Sequence, residues 1–404
     1  MTSRDSFGVL RERNFGWFFA ARAVSIAGSM MAPIALAFAV LDLSNSAADL
    51  GYVLAARSIP LVVFLLVGGV IADRFSRTAV IQWSNLLSAL TQGLVAGLVI
   101  SGHAELWQLI VLEGVNGTVS AASFPALQGL LPQLVDRERL QPANVLLSMS
   151  RAGLAIIAPS IAALLVVTVG SGWALAVDAA TWLASYLLLL PVKIPARPSS
   201  SEPAAGVIAE MKEGWSLFVG TTWLWVVVLA FGVLNAIQAG AWDTLGPAVA
   251  NQTFGARGWG YVVSSQAVGV LLMTLALMRL KFTHPLRIGM IGCLFFAAPL
   301  ALLGLAPHVL PVAVAIFVAG AGLEVFNLGW NLAMQENIEE RMLSRAFSYD
   351  ALGSFVAMPV GQLLYGPMGE WFGFEPVLVV SAVVYAAVVL LTLTSSSVRN
   401  LGRA

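Results

Sequence analysis

Charge is scarce in this chain. Only 10% of its 404 residues are Asp, Glu, Lys or Arg, against about 25% in ordinary soluble domains. The acids and bases balance to a formal net charge of zero, which gives no electrostatic argument for nucleic acid as a partner. There is one cysteine, Cys293, which excludes an internal disulfide framework and a thiolate metal cluster. The three histidines, His103, His284 and His308, lie far apart and cannot assemble a His-rich metal site. No Gly-x-Ser-x-Gly elbow, His-Glu-x-x-His helix or phosphate-cradling Gly-x-x-x-x-Gly-Lys loop occurs, so neither hydrolytic chemistry nor direct use of ATP is indicated. Neither a metal nor a cofactor is expected, and the chain does not read as an enzyme. Lysine is rare beside arginine, with only Lys193, Lys212 and Lys281.

What fills the chain instead is apolar sequence. Hydrophobic residues make up 59% of it and the mean hydropathy is +0.86. That exceeds what a packed soluble core needs and points to a polytopic membrane protein. The first apolar run, from Phe15, is longer than a signal-peptide core and reads as a retained span. A spanning helix takes about 20 mostly apolar residues. Twelve runs qualify: 15–41, 49–72, 78–101, 105–131, 142–169, 172–191, 221–247, 258–279, 285–305, 309–333, 345–368 and 374–394. The longest polar interruption separates the sixth from the seventh. It holds "ARPSSSEPAAG", a Pro/Ser-rich linker, and "VIAEMKEGWSLF", a short interfacial helix. The expected organisation is a six-helix bundle over residues 1–192, a linker over 193–220, and a second six-helix bundle over 221–404.

Basic residues set the orientation. The two termini and alternate loops hold seventeen of the 21 Lys and Arg residues, while the opposite loops hold only Arg257. Both termini are therefore expected in the cytoplasm. A weak internal repeat accompanies the two halves: Gly153 precedes Pro159 by six residues in the fifth span, as Gly353 precedes Pro359 in the eleventh.

Between the second and third spans stands "GGVIADRFSRTAV", Gly68 to Val80, where an acid and two bases interrupt two apolar segments. Gly69, Asp73, Arg74 and Arg77 match the loop signature of the major facilitator superfamily: Gly, three residues, Asp, Arg or Lys, two residues, Arg. Ser76 replaces the usual Gly. With the six-plus-six pattern, nearly the whole chain resembles that superfamily. The stretch from Gly320 to Gln362 is similar to actinobacterial members of its drug and macrolide efflux branch, which includes siderophore exporters. The resemblance implies an all-α membrane protein of twelve transmembrane helices in two pseudo-symmetric six-helix bundles. It implies a bacterial cytoplasmic membrane and export of a small amphipathic organic compound by alternating access, with proton antiport. A metabolite facilitator or symporter of the same fold is the alternative, then a non-transporting sensor. Partners are the substrate, protons and the bilayer, and a monomer is expected.

Physics gives the loop a task as well. Asp73 ends the second span, where a carboxylate can accept backbone N–H groups at the start of a neighbouring helix. The family's fold brings the eleventh span there. Arg77 can pair with Asp136 or with Asp350. The plain alternative is that Arg74 and Arg77 only anchor the loop. In the fifth span, Ala158, Pro159, Ala162 and Ala163 match part of the family's antiporter motif, whose glycines are missing.

Charges at a helix centre cost roughly 2.5–3.5 kcal/mol on insertion scales, so Arg22, Arg57, Glu113, Arg151, Asp178 and Glu324 are functional candidates. Glu324, near the middle of the tenth span, is the first choice for proton coupling, followed by Glu113 and Asp178. Arg57 and Glu113 enter their spans to similar depth and form a candidate pair. Asp178, on an outward-facing span of the family fold, is expected to turn inward toward a partner. Arg22, Arg57, Asn116, Asn235, Gln238, Phe326, Asn327 and Trp330 are candidates for the substrate cavity. For any one aromatic, packing is the better reading.

Overall fold

The computed structural model describes residues 9–74, 76–136, 139–192, 207–280 and 282–402, and every regular element among them is helical. Ten of these helices are long and apolar enough to cross a membrane. The chain divides into two compact units. The first holds Met1–Asn45 and Tyr52–Ser200, and the second holds Ser46–Gly51 and Ser201–Ala404.

The first unit contains α1 (Arg13–Ser44), α2 (Ala47–Arg74, from its sixth residue on), α3 (Arg77–Ser101), α4 (Leu106–Leu134), α5 (Leu140–Val169) and α6 (Ser171–Leu189). Local signals mark the joints. Asn45, at φ 52°, ends α1, and its N–H returns to the carbonyl of Leu41 at 2.8 Å. Ser76 caps α3 through the N–H of Ala79. Gly170, at φ 98°, is the whole link between α5 and α6, a conformation that glycine takes without a Cβ penalty. Helix α6 packs on α1 and α3, while α3 also packs on α4. Small residues let these helices close up: Gly117 of α4 lies on the carbonyl of Arg57 in α2. At one end an apolar core gathers Phe15, Phe18, Ile81, Leu130, Leu146 and Leu189, from α1, α3, α4, α5 and α6.

The second unit begins with α7 (Val207–Gly220), the short helix that the linker sequence signals. Its Phe218 stacks on both Trp215 and Tyr349, and Trp215 meets Tyr349 at a tilt. Then follow α8 (Thr222–Ile237), α9 (Leu245–Gln252), α10 (Gly255–Leu277), α11 (Pro285–Cys293), α12 (Ala297–Leu305), α13 (Val309–Asn337), α14 (Glu340–Phe355), α15 (Met358–Phe372), α16 (Phe374–Thr394) and α17 (Ser396–Arg399). Helix α13 is the centre of this unit's packing, against α10 and α11. Its contact with α11 is a seam of small residues. Gly322 faces Gly292, Gly329 faces Pro285, and Gly289 faces Phe326.

Three expected spans depart from straight α-helix. The seventh is α8 and α9 joined through a π-turn at Gln238–Trp242, a local widening that often marks functional sites. The ninth passes through a 3₁₀ turn at Leu294–Phe296. The eleventh is split into α14 and α15 by a break at Val356–Ala357. Pro359 explains that break: it has no N–H to offer the carbonyl of Phe355, four residues back. Pro159, its repeat mate in sequence, sits inside the unbroken helix α5. The fourth expected span is the 29-residue helix α4.

Candidate functional site

In the first unit, α1, α2, α3, α4 and α6 surround a cavity of about 240 Å³. Arg22, Ser25 and Ser29 reach it from α1, Arg57 from α2, Asn85 from α3, Ser120 and Ser123 from α4, and Trp182 and Ser185 from α6. The serines are committed to local bonds. Ser25 donates to the carbonyl of Arg22 at 3.0 Å and Ser29 to that of Ser25 at 2.7 Å, so both leave oxygen lone pairs toward the cavity. Asn85 donates to Ser185 at 2.9 Å, holding α3 to α6. The guanidinium of Arg22 has no hydrogen-bonded or ionic partner among the described residues, and its charged neighbour is Arg151, of the same sign.

A charge cluster lies behind the cavity wall and reaches it through Arg57. Arg57 and Glu113 form the pair that their depths indicate, with Nη1 and Oε2 3.5 Å apart. The Glu113 side chain is 0% exposed, and its second oxygen accepts from Nε2 of Gln92 at 2.9 Å. One turn along α4, Asn116 donates to Thr91 at 3.3 Å. Asp178 is 0% exposed too, and neither of its carboxylate oxygens has a hydrogen-bond partner. The indole of Trp182, one turn further along α6, approaches without reaching good geometry, and Arg57 and Glu113 act on it through their charges. A Cβ on Gly28 would come within 2.5 Å of its Oδ1, so α1 closes over the carboxylate. The inward turn expected of Asp178 is present, but the hydrogen-bonded partner is not. Buried carboxylates without partners are uncommon and mark functional sites.

The second unit places its polar groups differently. Glu324 is half-buried on α13 and accepts from Thr274 of α10 at 2.9 Å. Phe326 and Trp330 are buried rather than open to a cavity. Phe326 stacks on Phe231 with centroids 4.1 Å apart, and Trp330 meets Trp223 edge-on at 5.7 Å. The indole of Trp330 donates to Asp350 Oδ2 at 2.9 Å, and Ser354 donates to Oδ1 at 3.2 Å. Asn235 donates to the carbonyl of Ser354 at 3.0 Å, so α8 is tied to the last turn of α14. Gln238 opens the π-turn, and its carbonyl accepts from the N–H of Asp243. Asn327 is exposed.

Of the loop signature, the backbone of α2 runs to Arg74. The side chains of Gly69, Asp73 and Arg74 lie outside the described residues. Arg77 opens α3, and Asp136 is exposed after α4. Sequence reasoning missed Gln92 and Trp182. Both sit in the middle of apolar runs, so the criterion that singled out Asn116 would have found Gln92. No group of three or more His, Cys, Asp or Glu side chains suited to a metal ion occurs among the described residues.

Residues 4–401 match the family model described as "Transmembrane secretion effector". The enterobactin exporter EntS of Escherichia coli O1:K1 is 26% identical over 362 residues, which is 87% of this chain and 84% of the relative. An uncharacterised MFS-type transporter of Bacillus subtilis, YvqJ, is 22% identical over 390 residues, 92% of this chain and 90% of the relative. Among solved structures, the nucleoside transporter NupG superposes with a TM-score of 0.72 at 12% identity, over 94% of this chain and 98% of that one. A bacterial homologue of the iron transporter ferroportin gives 0.68 at 18%, over 95% and 99%. At such identities the structures speak for the fold alone, and that fold is the one the helix order and the Gly69–Arg77 loop imply. The chain therefore belongs to the transmembrane secretion effectors, a family of major facilitator superfamily transporters and not of enzymes.

Proposed function

We propose that this protein exports a small amphipathic organic compound from the cytoplasm by alternating access, with a proton moving inward in exchange. The observation that carries the proposal is the unpartnered carboxylate of Asp178 beside the Arg57–Glu113 pair, behind the wall of a cavity lined by both polar and apolar side chains. An ionised carboxylate buried without hydrogen bonds is costly, and a proton removes that cost. When the proton leaves, the guanidinium of Arg57, whose charge already acts on Asp178, turns toward it at the expense of its bond to Glu113. The cluster thus has two arrangements that differ by one proton, which is what coupling to a proton gradient requires. Asp178 replaces Glu324 as the first choice, because Glu324 is half-buried and already holds a hydroxyl partner.

The polar end of the compound enters the cavity of the first unit. The unpaired Arg22 supplies up to five N–H donors, and Ser25 and Ser29 supply acceptors. An oxygen-rich end, such as a catechol, lactone or carboxyl group, fits that lining. The relative named as an enterobactin exporter supports export as the direction. Both termini lie in the cytoplasm in this reading, the carrier works as a monomer, and Asp73 with Arg74 and Arg77 latches the cytoplasmic side.

The test is accumulation in cells lacking their own exporters. Expression of the chain is expected to lower the intracellular level of at least one of a set of radiolabelled macrolides and catecholate siderophores. Asp73→Asn should insert normally and slow that export several-fold. Unchanged accumulation of the whole set would end the export reading, and normal export by Asp73→Asn would reduce the loop to an anchor.

A further inference from the structure

Helices α3 and α6 pack antiparallel in a fixed register. Gln82 of α3 donates to the carbonyl of Leu189 at 2.8 Å, and Asn85 donates to Ser185 at 2.9 Å. Further along, a Cβ on Gly93 would stand 3.9 Å from that of Ala179. Each step up α3 is thus matched by an equal step back along α6. Seven residues beyond Asn85 is Gln92, and seven before Ser185 is Asp178. Seven residues make almost two whole turns, so both return to the faces that Asn85 and Ser185 use. Gln92 and Asp178 therefore stand opposite each other, and both are buried. Gln92 Nε2 donates to Glu113 Oε1 at 2.9 Å, which fixes the amide, because turned over it would set its oxygen against that carboxylate. Its own Oε1 is left without a partner, as are both oxygens of Asp178. Buried polar atoms are almost always paired, yet here three acceptors lie together and no donor reaches them. One proton on Asp178 supplies the donor.

We infer that Gln92 is the positioning residue for the proton of Asp178: the hydroxyl of neutral Asp178 donates to Gln92 Oε1, while Gln92 Nε2 keeps hold of Glu113. This rests on the proposed exchange at Asp178. When the proton leaves, the O–H bond of Asp178 breaks and two bare acceptors face each other, the carboxylate and the amide oxygen. The guanidinium of Arg57 has five N–H donors and can serve both. Gln92 stays on Glu113 meanwhile, so the carboxylate that Arg57 releases still has a donor. One amide thus links the protonation of Asp178 to the Arg57–Glu113 pair. The charged groups that act on Asp178 are Arg57 of α2 and Glu113 of α4. Helix α1 meets it with Gly28 and α3 with Gln92, neither of which titrates. Arg22 of α1 has Arg151 of α5 as its charged neighbour.

The test is an infrared titration of the full chain in liposomes, following the carbonyl stretch of protonated carboxyl groups against pH. The band of Asp178 is the part lost in Asp178→Asn, where an amide N–H takes the place of the hydroxyl and keeps the fold. Gln92→Met keeps the length of the side chain and removes both hydrogen bonds. Neutral Asp178 then loses its acceptor, whereas the ionised form loses only a repelling oxygen. Proton affinity should fall about tenfold, so the midpoint of the band should drop by about one pH unit. Gln92→Asn, too short to reach both carboxyl groups, should move it the same way, and it reads the same bond if methionine prevents folding. Gln82→Met removes another bond between α3 and α6, one that involves no carboxylate, and should leave the midpoint in place. A midpoint that Gln92→Met and Gln92→Asn do not lower overturns the role of Gln92 and leaves Asp178 as the proton site. An equal drop with Gln82→Met also overturns it, since general loosening would then suffice. A titration identical in Asp178→Asn ends the exchange at Asp178, and the role of Gln92 with it.

Discussion

Asp178→Asn is expected to remove proton-driven transport, reducing it to the background of vesicles without the protein, while the folded yield stays at the level of the unaltered chain. The two halves of that result come from one feature. Asparagine has the same shape as aspartate, so α1 can still close over it at Gly28. It keeps the neutral form of a buried side chain that has no hydrogen-bond donor to lose, so the change leaves no buried charge unpaired. What it cannot do is take up and release a proton. Arg57→Gln makes the informative contrast. It leaves both Glu113 and Asp178 without their nearby cation, and breaking a buried pair in this way costs about 3–5 kcal/mol. That variant should therefore lose stability as well as transport, read as a lower melting temperature in detergent. If Asp178→Asn transported normally down an imposed pH gradient, Asp178 would be a structural residue and the proton would travel elsewhere, with Glu324 the next to examine.

Gly269→Val is expected to have the largest effect on folding. Gly269 of α10 lies directly against the carbonyl oxygen of Phe317 in α13, and a Cβ there would also sit 2.9 Å from the carbonyl carbon. Both neighbours are helix backbone, so neither can swing aside as a side chain would. In lipid no hydrophobic force holds two helices together, and close packing with weak polar contacts must do it. Forcing α10 and α13 apart therefore removes the main contact of α10 in its unit. Overpacking of this kind costs typically about 1–3 kcal/mol even for a single added methylene, and valine adds three carbons. Loss of monodisperse protein on size-exclusion chromatography is the expected outcome. The control is Gly153→Ala: nothing lies within 4 Å of a Cβ at Gly153, and replacing a mid-helix glycine gains about 1 kcal/mol in helix propensity. A Gly269→Val protein as stable as that control would show that the α10–α13 contact does not carry the unit.

Hydropathy alone locates these helices because the bilayer sets one length for every span, and a run such as Phe374–Thr394 has no other use. Depth along a span was equally legible: Arg57 and Glu113 could be paired by counting residues from the membrane surface. What hydropathy does not carry is rotation about the helix axis. The apolar faces of α4 and α13 toward lipid and toward protein are nearly alike in composition, so nothing in the sequence tells that Glu324 turns to Thr274 or that Trp330 turns to Asp350. Pro359 accounts for the break at Val356–Ala357 in a run that reads as one continuous span, yet Pro159 in α5 breaks nothing, because the cost of a proline depends on what the neighbouring helices offer the freed carbonyl. The π-turn at Gln238–Trp242 has no proline to announce it. Gly240 sits there against the ring of Tyr365 and the carbonyl of Gly361, a close approach that only the tertiary structure reveals.

The central claim is exchange of a proton for an organic compound through the cluster at Asp178. It is tested most directly in inverted membrane vesicles, where the cytoplasmic face points outward, by imposing an acidic interior and following a radiolabelled catecholate or macrolide that the cell assay identifies. Uptake into the vesicles should start with the pH gradient, be accompanied by alkalinisation of the interior, and collapse when the gradient is dissipated. Uptake that proceeds at the same rate with and without the gradient, with no movement of protons, would contradict antiport and leave a facilitator.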